Sequence, residues 1–163
     1  VEKARRQWVA ADHPDESGFV TLVSLLRTYS LLVREIEGIL RTVGVTLSRF
    51  EVLLLLSFAR EQRLPIMRLR DLLLVHGSSA TYLVDRLVDA GLLEREADPN
   101  DRRVSIIPLT KAGHERVAAG AAALAEAGFA QIGDLGEDDR CALAALLAQL
   151  RGAQAPSIGA PSP

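Results

Sequence analysis

The sequence predicts a mainly α-helical fold carrying one small β-hairpin, and three observations predict it. Apolar residues recur at helical spacing through residues 19–43, 110–132 and 137–150, and a nearly unbroken apolar run of helix length fills 50–59. Two shorter helical stretches, 68–74 and 78–91, flank a break at His76 and Gly77. Segments 92–96 and 104–108, rich in leucine or β-branched residues, enclose Asp98, Pro99, Asn100 and Asp101, a cluster that favours a tight turn.

The 163 residues, 48% of them hydrophobic, supply apolar material for one well-formed core and little for a second domain. Apolar runs such as Val52–Leu56 and Leu72–Val75 are far shorter than the roughly 20 residues that cross a bilayer, so no membrane span is expected. Residues 1–10 are charged and lack the apolar stretch and cleavage site of a secretory signal, which makes the cytoplasm the expected location. Cys141 is the single cysteine, so an intrachain disulfide or a cysteine-rich zinc site is excluded. Ala142, Leu143 and Ala144 offer it no cation, and a buried, unreactive thiol is expected. The formal net charge is −2, so any contact with nucleic acid has to come from arginines placed locally.

Taken in order, residues 1–17 read as an extension with a short helix, in which Trp8–Ser17, containing Asp12, Pro14, Asp15 and Glu16, links to a long helix beginning near Phe19. Val20, Val23, Leu26, Leu31, Ile36 and Leu40 form its apolar stripe, and Gly44 ends it. Thr46 or Ser48 caps the next helix, whose nearly unbroken apolar run from Phe50 to Ala59 predicts burial on several faces. Leu64, Pro65 and Ile66 are too few for an independent strand, and the missing amide of Pro65 restricts them to a sheet edge. A helix from about Arg68 to Leu74 follows. Ser78 and Ser79 then supply capping hydroxyls for a helix running through Leu83, Val84, Leu87 and Val88 to Gly91. After the hairpin, Thr110 caps a helix through Val117, Leu124 and Phe129 to Ile132, and a last helix spans Glu137–Leu150. Residues 152–163, rich in Ala, Pro, Ser and Gly, read as a disordered tail.

Helix, short turn, helix and charged hairpin in immediate succession make a winged helix-turn-helix, a shape whose second helix fits the DNA major groove. The first turn of that helix is small and polar, with Ser78, Ser79, Thr81 and Tyr82 able to approach base edges, while Arg86 is placed for a phosphate. Simple capping is the competing reading for Ser78; Thr81 and Tyr82 lie too far into the helix to cap it. At the hairpin tip, Arg102 and Arg103 can enter the minor groove, with Asp101 to orient them. An Asp-Arg-Arg turn on its own is usually a solvated loop, and it is the preceding helix-turn-helix that changes its meaning.

From Phe19 to Leu150 the chain resembles the MarR family of regulators. The specific part runs from Leu69 to Thr110: Leu-Val-Asp-Arg-Leu at Leu83–Leu87, Ala-Gly-Leu-Leu-Glu-Arg at Ala90–Arg95, and Asp-Pro-Asn-Asp-Arg-Arg at Asp98–Arg103. The resemblance implies a domain over 18–151, with a winged lobe at 46–109 and dimerisation helices at 19–43 and 110–151. It also implies a homodimer reading a pseudo-palindromic operator in double-stranded DNA, a repressor role and release by a small organic effector. Arg103 corresponds to the family's minor-groove arginine and Asp101 to its partner. His76 stands where relatives commonly carry a capping Ser or Thr. The helix bearing Trp8 is similar to the urate-responsive branch, and Trp8, Glu51 and Arg95 become candidate ligand residues. Leu83 stands where that branch has an arginine, which argues against urate itself.

Two other readings compete. A winged helix that has lost DNA affinity would serve as a protein-interaction module, as the net acidity allows. An enzyme is disfavoured, because His13, His76 and His114 are scattered with no nearby nucleophile or metal-ligand spacing, and no cofactor is expected. The Ala-rich stretch 118–127 and the stripe of Leu143, Leu146, Leu147 and Leu150 add support for a dimer from the residues themselves.

Overall fold

The computed structural model describes residues 1–73, 77–128 and 135–152, and only the backbone at 77 and 78. Its helices are α1 (Glu2–Ala10), α2 (Glu16–Thr42), α3 (Leu47–Phe58), α4 (Ile66–Leu73), α5 (Gly77–Asp89), α6 (Lys111–Glu126) and α7 (Glu137–Arg151). The strands are β1 (Arg63–Pro65), β2 (Glu96–Ala97) and β3 (Ser105–Pro108). Two compact units result, Val1–Gly38 and the chain from Ile39 onward.

In the first unit, α1 turns into α2 through residues 11–15. Trp8 lies within α1 and not in the link expected from the sequence. Its ring stacks on Phe19, centroids 4.1 Å apart and planes 10° from parallel, with His13 tilted against it at 4.5 Å. Its indole N–H donates to the Pro14 carbonyl at 2.9 Å. The α2 helix starts at Glu16, earlier than the apolar pattern indicates, because the Asp15 carboxylate accepts from the Gly18 amide (3.0 Å) and satisfies a first-turn donor. Arg5 pairs with Glu2 at 2.8 Å and with Glu16 at 2.6 Å. Arg5 first and Arg6 second draw the Glu2 pKa down to about 2.

The second unit is built around Leu40, Leu53, Leu56, Leu69, Val84, Leu87, Leu93 and Ile107, all essentially inaccessible to solvent. At the end of α2, Gly44 adopts φ +73°, with Gly44 N–H donating to Arg41 O and Val45 N–H to Leu40 O, so two of the last carbonyls are satisfied. Thr46, rather than Ser48, caps α3 by accepting from the Arg49 amide. Burial along α3 is narrower than expected: Phe50, Val52, Leu53 and Leu56 are buried, but Phe58 is 65% exposed.

The sheet order is β1–β3–β2, antiparallel throughout, with Leu64 opposite Ile107 and Glu96 opposite Ile106. Pro65 thus sits on an edge strand, where its missing amide costs no ladder bond. The α4 helix begins immediately after it at Ile66, ahead of the expected Arg68. Strand β2 is shorter than the 92–96 segment, because Leu92 and Leu93 turn into the core and only a bridge from Leu93 to Leu109 continues the pairing.

Gly91, at φ +70°, ends α5 as Gly44 ends α2: Gly91 N–H donates to Val88 O and Leu92 N–H to Leu87 O. Thr110 caps α6 by accepting from the Gly113 amide at 3.0 Å, and its hydroxyl donates to Gly91 O at 2.9 Å. The α6 helix stops at Glu126, before a left-handed Gly128, so it is shorter than the pattern to Ile132 predicts. The expected helical residues 129–132 and the tail from 153 lie outside the described residues. Cys141, expected to be buried, is exposed on α7.

Candidate nucleic-acid interface

One face of α5 anchors the helix: Ala80, Val84 and Leu87, at helical spacing, are buried. Ser79, Thr81, Tyr82, Asp85 and Arg86 are exposed. Ser78 and Ser79 lie inside the helix, which begins at Gly77, rather than before it as caps. That earlier start brings Ala80 onto the buried row. Residues 74–76, including the His76 expected to form the break, lie outside the described residues, as does the Ser78 side chain. Tyr82 is 58% exposed, and the Arg86 guanidinium lies 5.4 Å from the centre of its ring while also facing the Asp89 carboxylate at 3.6 Å. Tyr82 and Arg86 therefore place an exposed aromatic ring and a cation side by side on α5.

The wing is held by its own aspartates. The Asp98 carboxylate accepts from the Asn100 amide at 2.7 Å, and the Asp98 amide donates to Val104 O at 3.0 Å. The Asp101 carboxylate accepts from the Arg103 main-chain amide at 2.9 Å. It shapes the tip through the backbone, not by pairing with a guanidinium as expected. Arg102 and Arg103 are both exposed there. With Arg95 they line a shallow hollow of about 200 Å³ between the wing strands, a local concentration of cations that the net charge conceals.

Two ion pairs fix the wing to the lobe. Arg95 reaches Asp85 on α5 at 2.6 Å, and Arg63 of β1 reaches Glu96 of β2 at 2.7 Å. Sequence reasoning missed Asp85, because the pairing spans ten residues, from a helix to the residue just before β2, and follows no helical or strand period.

Residues 43–104 match the profile of the MarR family. The HTH-type transcriptional regulator MhqR of Bacillus subtilis (strain 168) is 32% identical over 98 residues, which cover 60% of this chain and 66% of that protein, just under two thirds of its length. Sco5413, a MarR family transcriptional regulator from Streptomyces coelicolor, superposes with a TM-score of 0.74 at 29% identity, over 82% of this chain and 92% of Sco5413. Over residues 43–104, the chain carries the MarR family pattern. Its matched relatives are transcriptional regulators and not enzymes. A second MarR family regulator of Streptomyces coelicolor, Sco3205, solved in complex with DNA, shares the fold with a TM-score of 0.76 at 22% identity, over 85% of this chain and 88% of its own.

Of the three candidate ligand residues, Trp8 belongs to the first unit and Glu51 and Arg95 to the second. Trp8 spends its donor on Pro14 and its ring on Phe19 in the first unit. Arg95 is engaged by Asp85. Glu51, on α3, is partly open to solvent, yet desolvation by the surrounding protein raises its pKa. No helix of the described residues is long and apolar enough to cross a membrane.

Proposed function

We propose that the chain is a homodimeric, sequence-specific double-stranded DNA-binding regulator that acts in the cytoplasm as a repressor. The observation that carries this reading is the strap from Asp85 to Arg95, which ties the polar face of α5 to the arginine-bearing wing. In it, Ser78, Ser79, Thr81 and Tyr82 meet base edges in the major groove, Arg86 a phosphate, and Arg102 and Arg103 the minor groove. The likeness to a fold solved on DNA is compatible with that arrangement.

A dimer is supported by apolar side chains exposed in the single chain: Leu22, Leu26 and Leu31 on α2, and Leu146 and Leu150 on α7. Two lobes then meet two half-sites of a pseudo-palindrome. A small organic effector releases the repressor by binding more tightly to the lobe spacing that does not fit the operator.

Binding to duplex DNA from the gene's own upstream region, at roughly 50 and 200 mM salt against excess nonspecific competitor, tests the reading. Specific binding with a negative slope of log affinity against log salt, about −0.9 per phosphate neutralised, is expected. Absence of binding at both salts overturns it in favour of a protein-interaction module.

A further inference from the structure

The exposed side chains of α5 are not chemically alike. Ser79, Thr81, Asp85, Arg86 and Asp89 carry hydroxyls or charges. Tyr82 is the one large apolar side chain that α5 exposes among the described residues. Ala80, Val84 and Leu87 fill the buried row of the helix, so the ring of Tyr82 is not needed to anchor α5 and its area is open to a partner.

That ring is held in place. The Arg86 guanidinium, one helical turn further on, lies over it at 5.4 Å from its centre. Asp89 faces Arg86 at 3.6 Å from the other side, while the Asp85 carboxylate is turned to Arg95 at 2.6 Å and does not compete for that cation. A side chain restrained before binding loses less freedom when it meets a partner. Arg86 has five N–H donors, so resting on the ring leaves it donors for a phosphate.

In the major groove every base pair offers hydrogen-bonding groups, but thymine alone presents a methyl group, at C5. The hydroxyls of α5 answer the first kind of feature, and an exposed ring answers the second. A tyrosine hydroxyl can also reach a phosphate, but that contact makes no use of the ring. We propose that Tyr82 reads thymine in the operator, its ring held by Arg86 and packed against the C5 methyl of one thymine in each half-site. This role rests on the proposed DNA binding and specifies which base one face of α5 selects.

The test replaces thymine by deoxyuridine, which removes only the methyl, one position at a time through the DNA segment that the full chain protects. Affinity is read by fluorescence anisotropy. One symmetric pair of positions is expected to weaken binding about four-fold per half-site, as loss of one buried methyl requires. Y82A is expected to bind the thymine and uracil operators alike, and Y82S serves in its place should Y82A not fold. Y82F keeps the ring and loses the hydroxyl, and its ratio of thymine to uracil affinity is expected to match that of the parent. Specific binding that no thymine methyl affects, a thymine preference that survives in Y82A or Y82S, or one lost in Y82F would each overturn the role of Tyr82 while leaving DNA binding standing. Absence of specific binding overturns both.

Discussion

The Asp85 carboxylate on α5 and the Arg95 guanidinium at the foot of the wing meet at 2.6 Å, joining the two elements proposed to touch DNA through one ion pair. Its side chains are 56% and 40% exposed, so it contributes about 0–1 kcal/mol to folding. Its larger effect falls on the angle between helix and wing, and a small misplacement of preorganised groups is costly to binding. D85N and R95Q are therefore expected to leave urea unfolding within about 1 kcal/mol of the parent and to weaken operator binding several-fold. The double variant should lose no more than either single one. Additive losses, measured by fluorescence anisotropy, would remove the strap from the mechanism.

Packing of α6 on the lobe depends on Gly120. A Cβ built there meets the Phe50 ring, with Cδ2 at 2.8 Å and Cζ at 3.1 Å. Alanine in a helix interior is ordinarily favoured over glycine by roughly 0.5–1 kcal/mol, but overpacking a well-filled contact costs about 1–3 kcal/mol. The clash should win because a rigid, buried ring cannot swing aside as a flexible chain end could. G120A is expected to lower the urea midpoint, whereas G38A, which meets nothing within 4 Å, is expected to raise it or leave it unchanged.

Much of this lobe was legible because its signals are local. Thr46 and Thr110 sit one residue before their helices, Gly44 and Gly91 just after theirs, and Pro65 marks an edge strand. Contacts between distant segments were not legible. Asp85 with Arg95 and Gly120 with Phe50 follow no period, and the length of β2 was overread because Leu92 and Leu93 look like strand residues whether they pair or fill a core. The same limit governed the site. The polar face of α5 could be read from alternation with Ala80, Val84 and Leu87, while the role of Asp101 could not, because a carboxylate beside an arginine pairs as readily with an amide.

Glu51 should leave a signature in the pH dependence of stability. Desolvation raises its pKa above the ordinary 4.5, so between the unfolded and folded values the folded state binds more protons. Its contribution therefore falls as pH rises through that window and stays unfavourable above it. E51Q removes the ionisation, so the variant is expected to gain stability over the parent at roughly pH 7 and to lose that advantage at roughly pH 3. A parent that outperforms E51Q more as pH rises would show instead that a cation pairs with the carboxylate.

The proposed dimer can be broken on α7. Leu146 and Leu150 are 61% and 66% exposed in the single chain, and fully burying each side chain is worth roughly 1.5–3 kcal/mol. The parent is expected to elute with the mass of two chains by light scattering, and L146E/L150E as a single chain with the lobe still folded. A parent of single-chain mass would count against the dimer.

The wing offers the sharpest separation of roles. If Arg103 enters the minor groove, R103A should weaken operator binding by at least ~1 kcal/mol and reduce the salt slope by about 1, as one lost cationic contact requires. Asp101 makes its contact with Arg103 through the main-chain amide, so any acceptor at that position should keep the tip in shape. Asparagine retains such an oxygen and alanine does not. D101N is therefore expected to bind the operator nearly as well as the parent, and D101A several-fold more weakly with an unchanged salt slope. Equal losses in D101N and D101A would mean that the carboxylate charge, acting on a guanidinium once DNA is bound, matters more than the amide contact.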